Sequence, residues 1–147
     1  MTPHFSIDEF TRSNVAKQKG INNVLPQELM ENAKNTLLKL EEIRSILKHP
    51  IIITSGYRCK ELNTAVRGVS IKKLSQHTEA KAVDFICPKY GSPASVALVL
   101  RDHIQRLGID QLIYEFQSWV HVSFDKHPRH DVFTIKEAGR YMYGIII

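Results

Sequence analysis

Three side chains in this sequence could share one metal ion: His77, Asp84 and His121. Two imidazoles and a carboxylate suit a catalytic zinc, because three protein ligands leave a fourth position open for water. The first two lie in one stretch, Ser75-Gln76-His77-Thr78-Glu79-Ala80-Lys81-Ala82-Val83-Asp84; the third ends Trp119-Val120-His121. A His seven positions before an Asp is far less specific than HExxH. On spacing alone, a hydrogen-bonded His and an Asp paired with Arg or a backbone amide are the commoner outcomes. Asp84, however, sits inside Ala82-Val83-Asp84-Phe85-Ile86, which reads as a short buried strand stopped by Cys87-Pro88. A carboxylate there costs several kcal/mol unless it is paired or bound to a cation.

The elements around these residues can be read from pattern. Gln111-Leu112-Ile113-Tyr114-Glu115-Phe116 is a second strand, Gln117-Ser118 offers a turn, and Trp119-Val120-His121-Val122-Ser123-Phe124 is a third strand. The pair reads as a hairpin. Alternation puts Trp119, His121 and Ser123 on one face and Val120, Val122 and Phe124 on the other. His121 is then held on a rigid element, as a ligand requires.

Several ordered motifs resemble the zinc peptidases of the D-Ala-D-Ala carboxypeptidase family. They are Ser75-x-His77 with Asp84, Trp119-x-His121, Phe5-Ser6-Ile7-Asp8-Glu9-Phe10-Thr11-Arg12-Ser13, Pro50-Ile51-Ile52-Ile53-Thr54-Ser55-Gly56-Tyr57-Arg58, and Asp110-Gln111-Leu112-Ile113-Tyr114-Glu115. The resemblance runs from about Phe5 to about Asp125. It implies zinc held by His77, Asp84 and His121, and peptide stems of bacterial peptidoglycan as substrate. It also implies a Hedgehog/D-Ala-D-Ala-peptidase-like architecture with the metal at one end of the sheet. Two departures stand out. Ala80 occupies a position where the family usually has Gly, which is mild at negative φ and strained at positive φ. Many of these enzymes carry an acidic residue three positions before the last His; here that residue is Ser118.

A general base is needed to take a proton from water and return it to the leaving amine. Glu115 is the candidate and Asp110 the alternative. With a three-residue loop, Phe116-Gln117-Ser118, Glu115 pairs opposite Trp119 and shares the His121 face. With a two-residue turn it points away. Asp110 instead could cap the turn at Gly108. Arg58 is read as a fork for a substrate carboxylate or oxyanion, against a plain salt bridge to Asp84 or Glu61. Ser75 and Trp119 are candidate substrate contacts. His103, His127 and His130 are not expected to be ligands.

The remaining chain is ordinary. At 147 residues, it is expected to form one domain spanning 1–147. No apolar run could span a bilayer, and the start, Met1-Thr2-Pro3-His4-Phe5, lacks the look of a secretory signal. Two cysteines make no disulfide framework. A formal charge of +5 favours acidic surfaces without specifying nucleic acid. Arg67, Lys72, Lys73 and Lys81 read first as a solvated loop, and second as attraction to an anionic wall polymer. A monomer without nucleic-acid or membrane partners is expected.

Ser6 with Glu9 has a capping-box pattern opening a helix to about Gly20. Pro26-Gln27-Glu28 opens a long helix to about Leu47, its apolar face formed by Leu29, Ala33, Leu37, Leu40, Ile43, Arg44 and Leu47. Ile51-Ile52-Ile53 begins a buried strand, Cys59 to Val66 a brief helix, and Arg67 to Ser75 a loop. Ser92-Pro93-Ala94 opens a helix to Leu107, capped by Gly108. A polar loop at His127-Pro128-Arg129-His130 leads into a tail. The fold class is therefore α+β: a long N-terminal helix and a C-terminal helix on a small, mainly antiparallel sheet.

Three classes of function stay open. They are a peptidoglycan peptidase of carboxypeptidase or endopeptidase type, an inactive zinc- or wall-binding relative, and a phage structural component. Retention of all three ligands favours the first. A wall substrate without a signal segment points to a phage lysis enzyme.

Overall fold

The computed structural model describes residues 2–67 and 75–147. The loop expected over 67–75, including Lys72 and Lys73, falls outside the described residues at 68–74. Helix α1 (Ile7–Thr11) starts in the expected capping box: the Ser6 hydroxyl accepts from Glu9 N–H and the Glu9 carboxylate accepts from Ser6 N–H. It does not continue to Gly20. Arg12 is extended, and Ser13 caps a separate helix α2 (Asn14–Lys19) by accepting from Ala16 N–H. Gly20 ends α2 in the left-handed region.

Pro26 opens a 3₁₀ turn, Gln27–Leu29, that leads into the long helix α3 (Met30–Leu47). Its buried stripe is Ala33, Thr36, Leu37, Leu40, Ile43 and Leu47. Thr36 joins the expected face and Arg44 stays half-exposed. Helix α4 (Lys60–Arg67) is the brief helix carrying Asn63. Ser92 caps α5 (Pro93–Asp102). The helix expected to reach Leu107 breaks at His103, whose ring nitrogen bonds Val99 O, and resumes as α6 (Ile104–Leu107) before Gly108. No helix among the described residues is long and apolar enough to cross a membrane.

Six strands form one sheet: β1 (Ile52–Ser55), β2 (Ala82–Ile86), β3 (Ile109–Glu115), β4 (Trp119–Phe124), β5 (Asp131–Glu137) and β6 (Arg140–Tyr143), ordered β1-β2-β4-β3-β5-β6. The α+β class holds. The sheet is larger than expected and mixed, since β3 and β5 run parallel while the other neighbours are antiparallel. Two of its strands come from the stretch read as a polar loop and tail. β1 is an edge strand with Ile52 exposed, not the buried strand expected at 51–53.

One face of the sheet packs on α3 and α5. Val83, Phe85, Leu112, Val120, Val122 and Phe124 join Leu37, Leu40 and Leu100 in a single apolar core. Alternation sends Asp84, Ile113, Glu115, Trp119 and His121 to the opposite face, where they are cross-strand neighbours.

Between β4 and β5 the chain must cross the start of β3. A bulge between Ile109 and Gln111 marks that point. Asp110, fully buried there, accepts from Arg129 N–H, Nε–H and Nη2–H at 2.7–2.9 Å and from the Gln76 amide at 2.9 Å. Burial works against its charge, but the Arg129 and Gln76 hydrogen bonds outweigh it and hold the Asp110 carboxyl below its ordinary range. A depressed folded-state pKa stabilises above the unfolded value and stops doing so as pH falls through the folded one. Asp110→Asn is therefore expected to cost about 1.5–3 kcal/mol at neutral pH. The difference from wild type should shrink below about pH 4. Thermal melts across pH check this.

Candidate metal centre

Asp84 and His121 face each other across the β2–β4 pair, so backbone pairing alone brings their side chains together. His121 Nδ1 lies 2.9 Å from Asp84 Oδ1. His77 reaches the same oxygen from outside the sheet, its Nε2 at 3.3 Å. The candidate ligand atoms of the three residues lie within 4.8 Å of one another. Among the described residues no other His, Cys, Asp or Glu group is placed to share an ion.

A short 3₁₀ turn, Gln76–Glu79, carries His77. Ser75 caps it, its hydroxyl accepting from His77 N–H. Helix α3 clamps its far end: Thr36 donates to Ala80 O at 2.8 Å and Asn32 to Glu79 O at 3.1 Å. Gln76 ties it to Asp110. The turn ends in Ala80 at φ 58°, ψ 29°, the left-handed region, so Ala80 stands in the conformation that favours glycine and bears that strain.

His77 Nδ1–H donates to Gly56 O at 2.7 Å, which fixes the tautomer and leaves the Nε2 lone pair free for a cation. Gly56 is required for its own reason. A Cβ there would run into the Phe10 carbonyl and ring, because Tyr57 N–H reaches Phe10 O at 2.8 Å. Gly56→Ala is expected to cost about 1–3 kcal/mol by overpacking and to loosen the His77 ring with it. A denaturant melt, with the His77 ring proton followed by NMR, reads both.

The electrostatics favour a ligand state. Burial pushes His77 down, toward neutral imidazole. Burial opposes the charge on Asp84, but His77 and His121 overcome it and hold the carboxyl well below its usual range. Neutral imidazole and ionised carboxylate are the forms that bind metal. His77 Nε2 is buried and has no hydrogen-bond partner among the described residues. An orphaned acceptor beside a carboxylate is costly unless a cation completes it. The donor set thus fits zinc, whose His and carboxylate ligands lie about 2.0–2.2 Å from the ion.

The surrounding groups sit on the same face. Glu115 pairs opposite Trp119 across the loop Phe116-Gln117-Ser118, and its Oε1 is 3.8 Å from His121 Nδ1. Burial, then the nearby Asp84 charge, push the Glu115 carboxyl up. Arg58 is buried, its Nε unpartnered among the described residues. Burial pulls its pKa down, against the opposite pull of Asp84 and Glu115. Trp119 packs on Phe116 at 5.4 Å, and its buried indole N–H is also unpartnered among the described residues. A cleft of about 500 Å³ opens here, lined by Arg58, Asp84 and Trp119 together with Arg12, Ser13 and Asn14.

Arg12 and Asn14 are cleft residues that sequence reasoning did not single out, although Arg12 stands in the quoted Thr11-Arg12-Ser13 segment. Asn23 was missed as well. Its amide donates to Thr11 O and Tyr57 O and its oxygen accepts from Cys59 N–H, which binds the Arg58 turn to α1. No local pattern marks such a residue. His103 is occupied with Val99 O, away from the cluster.

Residues 3–123 match the family described as Peptidase M15. The chain belongs to the peptidase M15 family. Members are zinc-dependent, in keeping with the His77, Asp84 and His121 group. No curated protein matches the chain. Every residue of the metal cluster falls inside the matched span, while β5 and β6 lie beyond it.

Proposed function

We propose that this M15 peptidase hydrolyses the peptide stems of bacterial peptidoglycan, with zinc held by His77 Nε2, Asp84 and His121. The observation that carries the zinc assignment is the buried His77 Nε2 facing Asp84, orphaned among the described residues. A zinc held by these three residues would lower the pKa of a bound water and polarise the scissile carbonyl. Glu115 is assigned as general base and acid: its carboxylate takes a proton from water and returns it to the departing amine nitrogen. Asp110 is set aside, because Arg129 and Gln76 already engage both of its oxygens.

Arg58 is assigned the substrate carboxylate or the developing oxyanion, since its buried guanidinium opens on the cleft with Nε unpaired among the described residues. Trp119 walls the cleft and offers an indole N–H. Ser75 acts here on the His77 turn rather than on substrate. The Hedgehog/D-Ala-D-Ala-peptidase-like architecture is supported by the order of the motifs along the sheet. A chain terminus as substrate suits the buried fork of Arg58.

Two measurements test the reading. Elemental analysis should find one zinc per chain; a content far below one, unrestored by added zinc, overturns the ligand assignment. Mass spectrometry of muropeptides digested by the zinc-replete protein should give products whose masses name the bond. No product would hand the site to a wall-binding role.

A further inference from the structure

Beyond the metal cluster the same sheet face carries an aromatic platform. Register pairs Asp84 with His121, His121 with Ile113, Ile113 with Phe133 and Phe133 with Tyr143. Tyr141 stands opposite Ile135 on that face. The Phe133 ring meets Tyr141 at 5.6 Å and Tyr143 at 5.3 Å, so the three rings form one cluster. Tyr143 is 86% exposed and Tyr141 52%, on the outermost strand. Large exposed aromatics in a group mark a binding surface more often than a structural one.

We propose that Phe133, Tyr141 and Tyr143 form a saccharide-stacking platform that holds a sugar ring of the glycan strand from which the substrate peptide branches. Placing a glycan there rests on the reading of the site as a peptidoglycan peptidase. Tyrosines offer an apolar ring for the C–H face of a pyranose and a hydroxyl for its polar rim.

Distance ties the platform to the cleavage site. Three strand spacings separate His121 from Tyr143, roughly 14 Å, which is the reach of about four extended residues. A sugar on the platform is thus one short peptide stem from the metal cluster. A protein partner added along the free edge of β6 would instead pair its backbone and would not need the rings. The platform lies on β5 and β6, outside the matched residues 3–123.

The test is an NMR titration of the full zinc-loaded chain with tetra-N-acetylchitotetraose, a peptide-free glycan, joined to sedimentation. Saturable shifts on β5 and β6 are expected. Tyr143→Ala should weaken the affinity about five- to tenfold, and Tyr143→Phe should stay within about twofold of wild type. Tyr143 is exposed, so neither variant threatens folding. Absence of saturable shifts on these strands, or equal affinity in Tyr143→Ala, overturns the proposal. So does a dimer that Tyr143→Ala converts to monomer, which would assign the face to a second copy. Glycan shifts without stem hydrolysis would support the platform while removing the peptidase reading. Hydrolysis without glycan shifts would do the reverse.

Discussion

Replacing Glu115 by Gln lowers the rate constant of stem hydrolysis by about 10²–10⁴-fold, with zinc content and melting temperature held. The expectation comes from position and environment together. The three-residue loop sets Glu115 opposite Trp119, on the His121 face. Burial and the Asp84 charge raise its proton affinity, as a group that both takes and gives a proton requires. Glutamine keeps the shape and the cross-strand packing but cannot accept the proton. Single-turnover rates on a purified muropeptide, with zinc measured on the same sample, decide it. A variant with near-full activity shows that another group moves the proton. A variant that loses zinc or unfolds shows that Glu115 supports the ligands or the core instead.

Asp84→Asn should abolish activity by a different route. The amide keeps the size of the side chain but not the negative charge, which draws on both imidazoles. Removing a directly ligating charge should weaken zinc binding by more than the about 10–100-fold typical of losing an outer partner. Zinc titration against a competing chelator measures it. Because Asp84 lies in the middle of β2, circular dichroism must accompany the titration. Retained zinc affinity in a folded Asp84→Asn variant would remove Asp84 from the ligand set and leave the His77 Nε2 orphan unexplained.

Much of this arrangement could be read from residues, for local reasons. β2 and β4 begin and end where their apolar runs do, because a buried strand writes its limits in hydrophobicity. The Ser6–Glu9 box and the left-handed Gly20 and Gly108 obey capping chemistry that involves neighbours only. Two helices broke where the pattern ran on, at Arg12 and at His103, since a second cap or a ring-to-carbonyl bond can interrupt an apolar period without changing it. The face taken by Glu115 depended on loop length, and the partner of Asp110 proved to be Arg129, nineteen positions away. The β3–β5 pairing was illegible for the same reason: Val132, Phe133 and Ile135 have strand composition, but composition does not name a partner strand. The Asn23 and Thr36 clamps are likewise long-range, visible only once the chain is folded.

The crossing of β3 by the chain has a practical meaning for anyone who trims this protein. The family match stops at residue 123, which invites a shortened version ending there. Such a product would leave β3 as a bare edge, its row of amide and carbonyl groups from Gln111 to Glu115 stripped of β5. It would also strand the buried Asp110 charge without Arg129, beside the amide that steadies the His77 turn. Unprotected edges recruit other chains. The matched span thus stops short of the strands that complete the sheet, and the shortened product should collect in inclusion bodies.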